Sequence, residues 1–418
     1  MLRNSTRILG GAVLFALGLT AQTFNTLYTF TFANWLSDGA SLGTGVVIGP
    51  HGELYGTTYQ GGTGNRGTVY ELVPPVSPGG EWTEVVLHMF DGKDSTGPLG
   101  VIIGPKGTLF GVTAGNATSG GVAFELLPPT GTGANWTYSI IRDFGAGNMP
   151  TGGLVFGSAL GYGQSMYGTT QGSSGKGSTV FRLTPPATAG GAWTHTTLYT
   201  FPGGSKGSGP QGLLAVGAAG SLFGVTLDGG RINDACPTGC GTVYRLEPPA
   251  VAGGPWAEEG LYGFDPQIGD GYWPWAGVVI GAGGVLYGVT TQGGTDGFGT
   301  IYSLTPPAAP GAPMTEQVLY DLSTRESEVP AASLVLGPNG VLYGTSEAGG
   351  TSGAGAAFEL MPPASPGGRW TGKLLHTFTN RADGGTPNGL ALAPDGTLYG
   401  TTWTGGTGGG GTVYALIP

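Results

Sequence analysis

Short apolar runs, cut by glycine and threonine, set the rhythm of this chain, and one of them recurs seven times. An apolar residue, an aromatic one, Gly and two small β-formers occupy Leu54–Thr58, Leu109–Thr113, Met166–Thr170, Leu222–Thr226, Leu286–Thr290, Leu342–Ser346 and Leu398–Thr402. The spacings are 55, 57, 56, 64, 56 and 56 residues. Self-similarity at a fixed period of this length signals a repeat architecture. Each unit predicts four strands. In the first, Gly45–Gly49 is short and apolar, Pro50–Glu53 turns the chain, and Leu54–Thr58 is the second strand. A glycine-rich loop, Tyr59–Arg66, leads to Gly67–Leu72, where β-branched and aromatic residues alternate. Pro74 and Pro75 end that strand, because proline cannot donate to a ladder. Gly79 and Gly80 turn the chain into the longest strand, Trp82–Phe90.

Four antiparallel strands per unit with no helical period describe a propeller blade. The termini are out of phase in a way that favours a ring. Thr23–Phe30 matches the fourth strand of other units, and Gly411–Leu416 matches the third. Joining them completes a seventh blade and removes an open sheet edge. The expected fold is all-β, a seven-bladed β-propeller spanning 22–418 in one domain and closed by its N-terminal strand.

Composition narrows the setting. Gly supplies 88 of 418 residues without an every-third-residue period, which excludes collagen and suits a turn-rich β protein. Aromatics at 10 % argue against disorder. Charged residues are 10 % and the net charge is −10. A sparse acidic surface repels phosphate backbones, so nucleic acid is not an expected partner. Arg3 and Arg7 precede an apolar run from Ile8 to Leu19, and Ala21 fits a cleavage site. Residues 1–21 therefore read as a signal peptide, the run being short for a membrane span. No later segment could span a bilayer, and a soluble secreted or periplasmic protein is expected.

The motif Leu-Tyr-Gly-Thr-Thr, then Gly-Gly, then Gly-Thr-Val-Tyr, as at 398–414 and 54–75, resembles the bacterial tandem repeat called GloVer. That repeat occurs in "choice-of-anchor" exported proteins. The resemblance covers about 395 residues and implies a propeller without an established activity. Members often carry a C-terminal anchoring segment, whereas this chain runs from its last repeat straight to Pro418. The order Tyr59, Gly61-Gly62, Val69-Tyr70, Trp82 is also similar, more loosely, to kelch repeats.

In propellers of this type one face carries the loops between the second and third strands and the connections between blades. Ligand sites favour such a face. Histidine is sparse: His88, His195 and His376 fall in fourth strands and His51 in a turn on the other face. This argues against Ser-His-Asp and Cys-His catalysis and against zinc. Neither a cofactor nor a metal is expected. Asp91, Asp94, Asp228, Asp234, Asp265, Asp270 and Asp383 do reach the face, and most suit turn positions. Two of them, for example Asp270 with Asp94 or Asp383, could cleave a glycosidic bond if suitably opposed.

Aromatic residues are more suggestive. Trp82, Trp136, Trp193, Trp256 and Trp370 recur with the repeat and read as packing. Trp35, Tyr59, Tyr272, Trp273, Trp275 and Trp403 do not recur, and all fall on the candidate face. A flat apolar ring with a polar tip suits sugar rings and peptide groups. Arg231 lies beside Cys236 and Cys240 in an enlarged loop of unit four. In an exported protein these two cysteines are expected to pair. The leading expectation is a non-catalytic propeller that binds an extracellular glycan or protein. Trp35, Tyr59, Tyr272, Trp273, Trp275, Trp403, Asp270 and Arg231 are its candidate contacts. A glycan-cleaving enzyme and a structural surface component are the alternatives.

Overall fold

The computed structural model describes residues 22–32, 38–77, 79–93, 95–115, 120–131, 134–157, 165–172, 177–188, 190–251, 253–309, 312–323, 328–330, 332–365 and 367–418. The proposed signal peptide, Trp35 and Asp94 lie outside them. The described residues contain no α-helix and form seven antiparallel blades in a ring. Blade 1 is made of Val47–Ile48, Leu54–Thr58, Thr68–Val73 and Thr83–Met89, hydrogen-bonded in that order. Blade 7 consists of Gly385–Leu392, Leu398–Thr404, Gly409–Ile417 and, as its outer strand, Thr23–Thr31. There Thr23 pairs with Ile417 and Tyr28 with Val413, so the N-terminal strand closes the ring as expected.

The recurrent glycine has a steric cause. Gly56, Gly111, Gly168, Gly224, Gly288, Gly344 and Gly400 each stand opposite an aromatic residue of the third strand. A Cβ on any of the seven would fall within 3.0 Å of that ring. The rings, Tyr70, Phe124, Phe181, Tyr244, Tyr302, Phe358 and Tyr414, are buried as the blade cores. The recurrent threonine has a polar cause. Thr58, Thr170, Thr226, Thr290 and Thr402 are buried, and each bonds a third-strand threonine hydroxyl at 2.8–3.0 Å. A buried hydroxyl without such a partner would be destabilising.

Each fourth strand bulges opposite the blade's aromatic residue, and that of blade 7 has a second register shift between Thr29 and Thr31. An extra residue reverses which face the following side chains use. In blade 1, Glu84 therefore faces blade 7, while His88 and Phe90 face blade 2, where Phe90 meets Phe124 at 5.5 Å. Phe144, Phe201, Phe264 and Phe378 make the same contact with the next blade at 4.8–5.1 Å. The recurrent tryptophans pack the other way. Trp82, Trp136, Trp193, Trp256 and Trp370 meet the motif aromatic of the preceding blade at 5.5–6.4 Å.

Around the axis the inner segments touch backbone to backbone. A Cβ on Gly45 would strike the Gly389 carbonyl, and one on Gly152 that of Gly212. Motif threonines bridge to the next blade: Thr345 donates to the Asn388 carbonyl at 2.9 Å and Thr401 to that of Thr44 at 2.7 Å.

Candidate functional site

The position directly after the motif differs from blade to blade. It holds Tyr59 in blade 1 and Trp403 in blade 7, and Ala114, Gln171, Leu227, Thr291 and Glu347 in the others. The two aromatic residues belong to adjacent blades and meet, their ring centroids 5.7 Å apart. Tyr59 is 39 % exposed. Its backbone N–H donates to the Ser41 carbonyl at 2.8 Å, on the connection that enters blade 1. Gly43 of that connection lies against the Trp403 indole, and Gly97 lies against the Tyr59 ring. Glycine at these two places lets the backbone approach the rings.

A second aromatic group forms where blade 4 meets blade 5. Tyr272 packs edge-on against Trp273 at 5.2 Å, and Trp275 is 48 % exposed. Trp273 occupies the place that Ser41 holds in blade 1, with φ +57°, a left-handed conformation that bulky residues rarely adopt. Four contacts hold it there. Its backbone N–H donates to the Cys240 carbonyl at 2.9 Å, and its indole N–H to the Gly239 carbonyl at 3.1 Å. Its own carbonyl accepts from the Thr291 N–H at 3.2 Å and hydroxyl at 3.0 Å. Cys236 and Cys240 form a disulfide, both are fully buried, and Trp273 packs on the cluster that contains them. The disulfide thus fixes the loop on which the tryptophan rests.

The charged candidates are committed to internal contacts. Arg231 is exposed and forms an ion pair with Asp265 at 3.1 Å. Asp270 is buried, and its carboxylate accepts from the Tyr262 hydroxyl at 2.6 Å and the Asp265 N–H at 3.2 Å. Burial first, and Asp270 second, push the Tyr262 phenol well above its usual range. Asp383 lies two seams away, between blades 6 and 7. It accepts from Thr379 and bonds His376 at 3.2 Å. Asp270 and Asp383 therefore do not meet.

Sequence reasoning placed the histidines in fourth strands, as observed, but missed that they face the seams, and it missed the seam acids Asp38, Glu84 and Glu316. His376 stacks on Phe24 at 3.7 Å and His88 on Tyr138 at 4.0 Å, so these fourth-strand histidines are seam residues. Burial holds the His376 imidazole below its usual range, outweighing the opposite pull of Asp383. Burial, then the Arg142 charge, lowers His195 in the same sense. Asp38, Glu84 and Glu316 also sit in seams. Aligning the units position by position would expose them, because all three occupy fixed places in the repeat. Among the described residues, no group of three His, Cys, Asp or Glu is placed to hold a metal ion. No helix among them is long and apolar enough to cross a membrane.

The fold is shared with solved structures at low identity. Polysaccharide lyase Uly1 matches with a TM-score of 0.50 and 12 % identity, over 90 % of each chain. A prolyl endopeptidase matches with a TM-score of 0.51 and 13 % identity, over 92 % of this chain and 48 % of its own. The α-L-arabinanase of Penicillium chrysogenum, solved with arabinobiose, gives 0.45 and 15 % identity over 95 % of this chain and 98 % of its own. At these identities the first two likenesses show the propeller fold alone. No curated protein matches the sequence. The Gloeobacter/Verrucomicrobia repeat matches residues 4–235 and 157–414, and the chain belongs to that family.

Proposed function

We propose that this protein is an exported, non-catalytic propeller that binds an extracellular glycan across the Tyr59–Trp403 pair. The observation that carries the reading is that pair. The position after the motif is aromatic only in blades 1 and 7, and there the rings adjoin at 5.7 Å with Tyr59 exposed. Packing common to all blades would repeat, and this pair does not. Flat apolar faces flanked by hydroxyl and N–H groups suit the C–H faces of sugars better than they suit an ion. Trp275, half-exposed at the seam between blades 4 and 5, offers a second contact on the same kind of connection. The buried disulfide supports an oxidising compartment, secreted or periplasmic.

The test is affinity electrophoresis of the purified protein through gels containing neutral and acidic polysaccharides. Retardation by one class, lost in Trp403→Ala and retained in the seam variant Trp136→Phe, is the expected result. Unretarded migration in every gel, with capture of an extracellular protein that survives Trp403→Ala, would overturn it.

A further inference from the structure

At four of the seams, three positions of the repeat come together. One lies two residues before the last aromatic of a fourth strand. The second lies in the connection, directly before the glycine that abuts the buried motif threonine. The third is the second residue of the next blade's fourth strand. Between blades 3 and 4 these are Tyr199, Lys206 and Glu258. The Lys206 ammonium pairs with the Glu258 carboxylate, which also accepts from the Tyr199 hydroxyl at 3.3 Å. Between blades 6 and 7 they are His376, Asp383 and Phe24, joined by one hydrogen bond and one ring stack. Two seams depart from this compensation. Between blades 7 and 1 the trio is Tyr28, Asp38 and Glu84. Between blades 4 and 5 it is Tyr262, Asp270 and Glu316. Each places two carboxyl groups beside a tyrosine where blade 4 has a lysine and a carboxylate.

We propose that these two seams are proton-operated latches, each holding one proton on its pair of carboxyl groups and loosening when that proton is lost. Three geometric facts carry this. Asp38 and Asp270 are 5 % and 4 % exposed. Their oxygens are turned to internal donors: Asp38 to the Thr31 and Gly39 N–H groups at 3.2 and 2.7 Å, Asp270 to Tyr262 and Asp265. Glu84, at the equivalent place of the other seam, buries a carboxyl oxygen that meets no hydrogen-bond partner, a position that suits a neutral carboxyl and not a carboxylate. The other groups facing the pairs are few. Tyr28 and Tyr70 face Glu84, and Tyr262 and Tyr302 face Glu316. Arg231, the cation that faces Tyr262, is engaged by Asp265. Burial, then Asp38, pushes Glu84 up to about 8, and burial, then Asp270, raises Glu316 in the same direction.

A carboxyl whose folded pKa is raised binds a proton that the unfolded chain releases above about 4.5. Stability is then greatest in acid and falls as pH rises towards 8. Within that window each pair lowers the folded-to-unfolded ratio about tenfold per pH unit. The seams are separated by blades 1–4 on one side and blades 5–7 on the other. Loosening both would therefore free two halves of the ring.

The test is peptide-resolved hydrogen exchange of the full chain from pH 6 to 8.5, corrected for intrinsic exchange. Protection in the outer strands Thr23–Thr31, Thr83–Met89, Ala257–Gly263 and Thr315–Asp321 is expected to fall with pH. Protection in Thr194–Thr200, which borders the lysine-paired seam, is expected to hold. The variant Glu84→Gln/Glu316→Gln keeps shape without charge, and Asp38→Lys/Asp270→Lys copies blade 4. Either should abolish the fall. Because these variants can fail to fold, the wild-type protein supplies a second readout, the protons released on unfolding at pH 7. A net release of about one to two is expected. Uniform protection across the seams, an unchanged fall in a folded variant, or no proton release would overturn the proposal.

Discussion

The ring of Phe30 lies 5.0 Å from that of Tyr70, although the two belong to different blades. Phe30 is the last aromatic of the N-terminal strand, which is the outer strand of blade 7, and Tyr70 is the core aromatic of blade 1. Closure is therefore both a ladder of hydrogen bonds and a rivet across the seam. Phe30 is fully buried, so Phe30→Ala should cost about 3–5 kcal/mol. It should also expose Gly409–Ile417 as an edge for a second chain. Denaturant unfolding and light scattering check this. A loss under about 1 kcal/mol with no dimer formed would show that backbone pairing alone closes the ring.

The same geometry fixes the motif glycine. In blade 2, a Cβ on Gly111 would collide with Phe124. Gly111→Ala should cost about 1–3 kcal/mol by overpacking. Phe124→Leu should cost a similar amount by leaving a void. Together they should cost less than their sum by about 1 kcal/mol or more, because the smaller side chain makes room for the methyl. A double-mutant cycle in urea measures the coupling, and strict additivity would contradict the steric reading.

The fold was legible because its rules repeat at short range. Gly56 opposite Tyr70 and Thr58 opposite Thr68 are cross-strand neighbours, so every unit spells the first pair, and five of the seven spell the second, in the same order. The closing strand was legible from phase alone. The seam chemistry was not, because Tyr28, Asp38 and Glu84 come from three separated segments. At the equivalent places in the next seams stand lysine, histidine or an aromatic. Such variation carries no motif, and the bulge that aims those side chains leaves no residue signature. The aromatic candidates were legible as exceptions to the repeat. Asp270 was not, since a turn-forming aspartate and a buried one look alike in sequence.

The disulfide between Cys236 and Cys240 closes a short loop, and removing it should destabilise by about 2 kcal/mol on the loop-entropy account. Its local effect should be larger than its global one. Trp273 hangs from the Gly239 and Cys240 carbonyls, and its left-handed backbone depends on that support. Cys236→Ser/Cys240→Ser should therefore change the near-ultraviolet circular dichroism of the indole while preserving the far-ultraviolet β signal. Identical near-ultraviolet spectra would show that Trp273 does not need the cross-link.

His195 and His376 act against the carboxyl pairs at lower pH. Burial lowers both imidazoles, so the unfolded chain binds more protons than the folded one below about 6.5. Stability from this source is present above that value and is lost as pH falls. The carboxyl pairs run the other way from 8 down to about 4.5. The sum predicts a rise in melting temperature from pH 8 to about 6.5 and then a plateau. In His195→Gln/His376→Gln the rise should continue towards pH 5. A curve of the same shape in both proteins would remove the histidines from the account.

The aromatic groups and the carboxyl pairs share their supports. Asp38 and Ser41 belong to one connection, and the Ser41 carbonyl holds the Tyr59 N–H while Gly43 backs Trp403. Asp270 likewise precedes Trp273 and Trp275. A seam that loosens as its proton leaves should therefore disperse the rings beside it and reduce the fraction of molecules able to bind. Apparent affinity falls in proportion to that fraction, so glycan binding should weaken about twofold when half the molecules have an open seam. Titrations of the retained polysaccharide at pH 6 and 8.5 should show this weakening in the wild type and its absence in Asp38→Lys. Binding that weakens equally in both would place the pH dependence in the ligand or in the rings' surroundings, away from the seam.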